Sequence, residues 1–235
     1  MGMTLQADTI AEQLAESVRG EILISSSPGY EEARSIWNGM IDKRPAAIVR
    51  CDGVADVIAT VNFARERKVP LAIKAGGHNV SGKAVCDDGI VIDLSVMNNV
   101  RVDPVAKRAR AGAGAKWGAF DHEAQAFGLT TTGGVVSTTG VAGLTLGGGI
   151  GYLTRTYGLA CDNLLAVDLV TAAGEFVHAS ADENADLFWA LRGGGGNFGV
   201  VTSLEFQLHE VGPMVATATL FHAIEDAREV LYQYR

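Results

Sequence analysis

Cysteine and positive charge are both scarce in this chain, and each shortage closes off a class of function. Three cysteines, Cys51, Cys86 and Cys161, are odd in number and widely spaced. They fit neither a disulfide framework nor a C-x-x-C metal pattern, so each reads as a small core hydrophobe. Nineteen Lys and Arg stand against 27 Asp and Glu, a formal net charge of −8. Nucleic acid and anionic membrane need basic patches, so neither is expected as a partner. No apolar run approaches the length of a bilayer span. The opening MGMTLQADTIAEQLAESVRG has no basic n-region and no apolar h-region. It is not read as a secretory leader, and a cytoplasmic location is expected. His122, His178, His209 and His222 have no neighbour at metal-ligand spacing, and no metal is expected.

What the chain does have is glycine, 29 of 235 residues, in a sequence that is 48% hydrophobic and ample for a core. Apolar Ile10, Leu14 and Val18 predict a short amphipathic helix within residues 7–20. After polar sequence to Pro45 the pattern becomes regular. AAIVRC (46–51) predicts a strand, and Asp52 a cap for a helix with Val54, Val57, Ile58 and Val61 on its apolar face. LAIKA (71–75) predicts the next strand, GIVIDLS (89–95) another, and LAVDLVTA with EFVHA a hairpin.

Two glycine motifs invite a nucleotide reading, and their context refuses it. GHNVSGKA (77–84) falls one residue short of G-x-x-x-x-G-K-[ST]: Ala84 lacks the hydroxyl for Mg²⁺, and a strand follows instead of a helix. GGGNFG (194–199) matches G-x-G-x-x-G, but the helix precedes it and the strand follows, the reverse of a dinucleotide turn. GVAGLTLGGGIG (140–151) differs from both. Its glycines alternate with Val, Leu and Ile, so it is no linker. Such glycines mark backbone pressed against another element or against a flat ligand, and both possibilities stand.

Taken in order, AGGHN, DDGIVIDLSVMNNVRVD, STTGVAGLTLGGGIGYLTRTYGLACDN and FWALRGGGGNFGVVTSLEF closely resemble the FAD-linked oxidases of the berberine bridge enzyme type. Their flavin domain is shared with vanillyl-alcohol oxidase and p-cresol methylhydroxylase. The resemblance spans about residues 44–211. It implies an α+β fold: a two-part FAD-binding domain at 44–211, an N-terminal helical segment at 1–43, and the start of a truncated α+β substrate domain at 212–235. Met214 to Leu220 then reads as a first strand, and 223–235 as an amphipathic helix.

The same resemblance implies FAD joined covalently to His78. Backbone amides of Ala75, Gly76, Gly77, Asn79 and Val80 are then expected to cradle the pyrophosphate. Ser137, Thr138, Thr139, Gly140 and Gly143, with Gly147, Gly148, Gly149 and Gly151, are expected along the flavin ring and ribityl chain. Val200 and Val201 are expected near the adenine or ribityl part. Many relatives carry a second link from a cysteine; Val136 occupies that place here, so a single link is expected. Tyr152, Arg155, Tyr157, Asp162 and Asn163 read as structural, and Trp189 as packing its own helix.

The implied activity is an oxidase taking hydride from a small organic substrate and passing electrons to O₂. The alternatives are a dehydrogenase with another acceptor, a flavin-binding fragment without turnover, and a reductase of the same fold that lacks the histidine link. Catalytic residues are expected beyond the chain, and its uncovered apolar faces are expected to self-associate.

Overall fold

A computed structural model describes residues 7–234. Helix α1 (Ala7–Ala15) buries Ile10 and Leu14, the apolar positions of its period. Then come β1 (Glu21–Leu23), α2 (Tyr30–Arg34), β2 (Ala47–Arg50), α3 (Val54–Arg67), β3 (Leu71–Lys74) and β4 (Ile90–Asp93). They form a four-stranded sheet of order β1-β2-β4-β3. β2, β4 and β3 run parallel, with Ala47 opposite Ile90 and Leu71 opposite Ile90 on the other side. The central strand IVID is buried at every position, as a parallel strand covered on both faces must be. The stretch before residue 44 thus adds a strand as well as helices, because β1 pairs antiparallel with β2.

The second part comprises β5 (Val100–Asp103), β6 (Arg108–Gly112), α4 (Trp117–Gln125), β7 (Leu129–Thr130), α5 (Val141–Leu146), α6 (Thr154–Tyr157), β8 (Leu164–Val170), β9 (Phe176–Ser180), α7 (Ala185–Leu191), β10 (Val200–Gln207), β11 (His209–Glu210) and α8 (Ala227–Tyr234). β5-β6-β10-β8-β9 is an antiparallel sheet, and β11 pairs with β7. Trp117, Phe120 and Phe206 meet edge to face, with centroids 5.2–6.0 Å apart. Each such pair adds about 0.5–1.5 kcal/mol beyond area burial. One apolar core runs through both sheets, from Val57 and Ile92 to Phe206 and Leu169. The fold is α+β.

Three local expectations are corrected. Asp52 does not cap α3: Gly53 holds the cap position without a side-chain bond, and Asp56 instead accepts the amides of Arg19, Gly20 and Asp52 at 2.9–3.0 Å. One buried carboxylate satisfies three backbone donors. Met214–Leu220 forms no strand: all of its residues are exposed, so its apolar positions find no buried face to pack on. Trp189 does not pack its helix. It is 73% exposed, while Phe188 and Leu191 face inward. No described helix is long and apolar enough to cross a membrane.

Candidate cofactor site

Parallel sheets present ligands at the carboxyl ends of their strands. Here β3 ends at Lys74, and the loop Ala75–Val80 leaves from that edge. None of the six amides from Ala75 to Val80 donates a hydrogen bond to another described residue. Gly77 has φ +68°, a left-handed conformation that helps successive amides turn toward one side. The loop therefore offers a row of open donors, suited to an anion. The Asn79 side chain is used locally: its Oδ1 accepts from Ser81 Oγ at 2.7 Å and from the Lys83 amide at 3.1 Å. The turn then runs into β4, so the loop does not open a helix.

A second segment crosses this loop backbone to backbone. A Cβ on Gly140 would lie 2.6 Å from the Gly76 amide nitrogen, and one on Gly76 would collide with Gly140 in turn. Only two glycines can cross there. The crossing is held from behind, where Trp117 N donates to Thr139 O and Val141 N to Ala115 O, at 3.0 and 2.9 Å. It delivers Thr138 and Thr139 to His78: Thr138 Oγ1 lies 3.1 Å from Nε2, and Thr139 Oγ1 3.4 Å from Nδ1. Partial burial, and after it the Lys116 cation, lower the His78 pKa below its ordinary 6.5. Both causes favour the neutral imidazole over the imidazolium.

The glycine run divides in two. Gly149 has φ +84°, and a Cβ there would lie 2.6 Å from both Ala160 Cβ and Leu144 Cδ2. Gly151 abuts the Gly133 carbonyl, and Gly148 has φ +108°. These three serve the protein's own packing and turn. Gly143 and Gly147 do not. Four residues apart on α5 and its C-cap, both are exposed, with open space or ordinary contact where a Cβ would go. Nothing in the protein asks for glycine at either position. They leave a bare backbone face beside the Gly76–Gly140 crossing.

Other expected residues fall elsewhere. Ser137 is exposed beside Thr138. Val200 and Val201 lie in β10, opposite Val170 and Leu169, with both side chains in the core, so only backbone could meet a ligand there. Val136 is exposed at the place of a second link. Cys161 is buried behind Gly148, and burial raises the pKa of the Cys86 and Cys161 thiols, which suppresses thiolate chemistry. Asn163 is satisfied by Tyr157 O, Leu159 O and His209, and His209 stacks on Tyr157 at 3.9 Å; the structural reading of Tyr157, Asp162 and Asn163 fits these bonds. Tyr152 and Arg155 are exposed instead. No cluster of potential metal ligands occurs among the described residues.

Two neighbours of His78 gave no signal in the sequence. Lys116 precedes α4 with no periodicity to mark it. Trp37 lies in the polar stretch before Pro45, yet its ring stacks on His78 with centroids 5.6 Å apart.

Comparison with known proteins identifies the family of the domain that carries these residues. Residues 45–180 match the FAD-binding domain family. The chain belongs to that family. It is 43% identical over 195 residues to the (R)-6-hydroxynicotine oxidase of Paenarthrobacter nicotinovorans, covering 83% of this chain and 43% of that protein. The solved structure of a berberine-bridge-enzyme-like protein from Physcomitrella patens superposes with TM-score 0.80 at 32% identity, covering 86% of this chain and 44% of its own. The glucooligosaccharide oxidase of Acremonium strictum, described with a 6-S-cysteinyl, 8α-N1-histidyl FAD, gives 0.81 at 35%, with coverage of 86% and 42%. The chain spans less than half the length of these relatives. Its FAD-binding domain has the two-part architecture of these oxidases.

Proposed function

We propose that this FAD-binding domain holds FAD through a single covalent bond to His78, as the cofactor-bearing part of an oxidase for a small organic substrate. The Gly76–Gly140 crossing carries the reading, because it brings open amides, a neutral imidazole and a bare glycine face to one place. The residues fit the group. Ala75–Val80 amides suit a pyrophosphate, and Lys116 adds positive potential. The face of Gly143 and Gly147, free of side chains, suits a flat ring system. Bound there, FAD would supply a two-electron acceptor for hydride from a substrate C–H bond.

The chain's own residues would do four things. Loop amides hold the anion. The glycine face lets the ring approach the backbone. Thr138 and Thr139 fix the orientation of the His78 ring. Burial and Lys116 keep that ring unprotonated. With valine at 136 and raised thiol pKa values at Cys86 and Cys161, no second link is assigned. The substrate class, whether a sugar, an alcohol or a secondary metabolite, and a cytoplasmic location belong to the same proposal.

Flavin content and electron acceptor test it together. The purified chain, supplied with FAD, is expected to retain yellow flavin after acid precipitation. In a protein that joins this domain to a substrate domain, substrate-reduced flavin is expected to reoxidise with release of peroxide. Reoxidation by a dye but not by O₂ would make the protein a dehydrogenase. Failure to take up FAD would overturn the reading.

A further inference from the structure

Residues 36–43 lie across the loop that carries His78. Trp37 N donates to Gly77 O at 3.1 Å, and Asn38 Nδ2 to Val80 O at 2.8 Å. Ile41 packs on Gly82 so closely that a Cβ there would stand 2.9 Å from its carbons. Lys43 Nζ donates to Gly82 O and Val85 O at 3.0 and 3.2 Å. A strap of eight residues thus ties down the loop from Gly77 to Val80 and the turn that follows it. At its head, the Trp37 ring lies on the His78 ring, the planes only 21° apart.

From this arrangement we propose that Trp37 is a positioning residue for His78: it covers one face of the imidazole while Thr138 and Thr139 hold its two nitrogen edges. The inference rests on the covalent reading above for its consequence, though not for its geometry. An imidazole on a loop is free to turn about its outer bond. Bond formation at nitrogen needs the in-plane lone pair aimed at one carbon, and misalignment is costly in rate. A stacked indole restrains the tilt of the ring without occupying its nitrogen edges, which the two threonines hold. Trp37 is 65% exposed, so it serves no core, and its truncation leaves no buried cavity. An exposed aromatic laid on a loop histidine is explained by what it does to that histidine.

Joining His78 to the 8α-methyl carbon would form one C–N bond and break one imidazole N–H and one methyl C–H bond, and the two protons and two electrons released would reduce dioxygen to hydrogen peroxide.

The test compares Trp37→Ala and Trp37→Phe in the full chain, with two readouts. One is the time course of acid-stable flavin after FAD is added to flavin-free protein. The other is the His78 tautomer ratio and pKa, read by NMR of ¹⁵N-histidine-labelled flavin-free protein. Trp37→Ala is expected to slow attachment by about ten-fold or more. FAD affinity is expected within about three-fold of the parent. The same variant should shift the tautomer ratio, and Trp37→Phe, which keeps a ring, should restore both. Attachment and tautomer ratio unchanged in Trp37→Ala would overturn the proposal. So would slowing that Trp37→Phe fails to repair, since the role would then not be stacking. If the parent protein forms no acid-stable flavin, the covalent reading falls. The tautomer readout then decides alone, and an unmoved His78 in Trp37→Ala sinks the positioning role.

Discussion

Gly149 and Gly143 belong to one short run, yet they are glycine for opposite reasons. Gly149 sits at φ +84° with Ala160 and Leu144 closing on the space of its missing side chain. Gly143 lies in ordinary helix with nothing near. A glycine that the protein itself crowds is explained by folding. One that faces open space in a regular helix lowers stability for no internal gain, and the explanation must lie outside the chain. The open pair, Gly143 and Gly147, lies on the helix whose N-cap, Gly140, crosses the amide-lined loop at Gly76; the crowded pair, Gly149 and Gly151, meets Ala160 and Gly133.

Substitution separates the two kinds. Gly149→Ala forces a left-handed alanine into contact with Ala160 and Leu144. It should cost about 3 kcal/mol, measured by chemical denaturation of the flavin-free chain. A cost below about 0.5 kcal/mol would erase the distinction. A carboxylate beyond the crowded side sharpens the contrast. Asp121 faces a hollow shared with Thr131, Gly133, Tyr152 and Val211, and burial raises its pKa from 3.8 to about 6. The folded state therefore favours the neutral acid, and ionisation destabilises it as pH rises from about 4 to 6. Asp121→Asn should be more stable at pH 7 by about 1–2 kcal/mol, the full shift being discounted for solvent screening. The gain should vanish at pH 3.5. A pH-independent gain would assign it to something other than this carboxyl.

On the open side, Gly143→Ala should stabilise the flavin-free chain by about 0.5–1 kcal/mol. Yet it should weaken FAD binding several-fold, because the new methyl lies where the ring would. Stabilisation with undiminished affinity would move the flavin off this face. The smallest effect concerns pH. Attachment needs neutral imidazole, and the His78 pKa lies below 6.5. Its rate should be flat above that pH and fall only below it. A rate still rising between pH 7 and 8 would contradict the lowered value.

Much of the fold was legible in the sequence. β2, α3, β3 and β4 follow hydrophobic period, and neither nucleotide-like motif had the neighbours it needed. The order of four segments pointed to the FAD-binding family, which the family match bears out. The division of the glycine run was not legible, because crowding depends on Ala160 and Gly133, residues with no fixed spacing to it. Trp37 was invisible for the same reason: it reaches His78 across 41 residues of chain through a stacked ring. Met214–Leu220 misled because β-propensity reflects the fit to a half-buried sheet surface, and this segment is exposed throughout. Trp189 misled because a large aromatic is usually inward, and here Phe188 and Leu191 hold that face.

Peptide mapping of the flavin-loaded chain tests the central claim most directly. After reconstitution with FAD and proteolysis, the flavin mass should appear on one peptide, the one containing His78, and disappear in His78→Ala while the protein still melts cooperatively. Flavin on a cysteinyl peptide, on any other histidine, or retained covalently by His78→Ala would contradict the account.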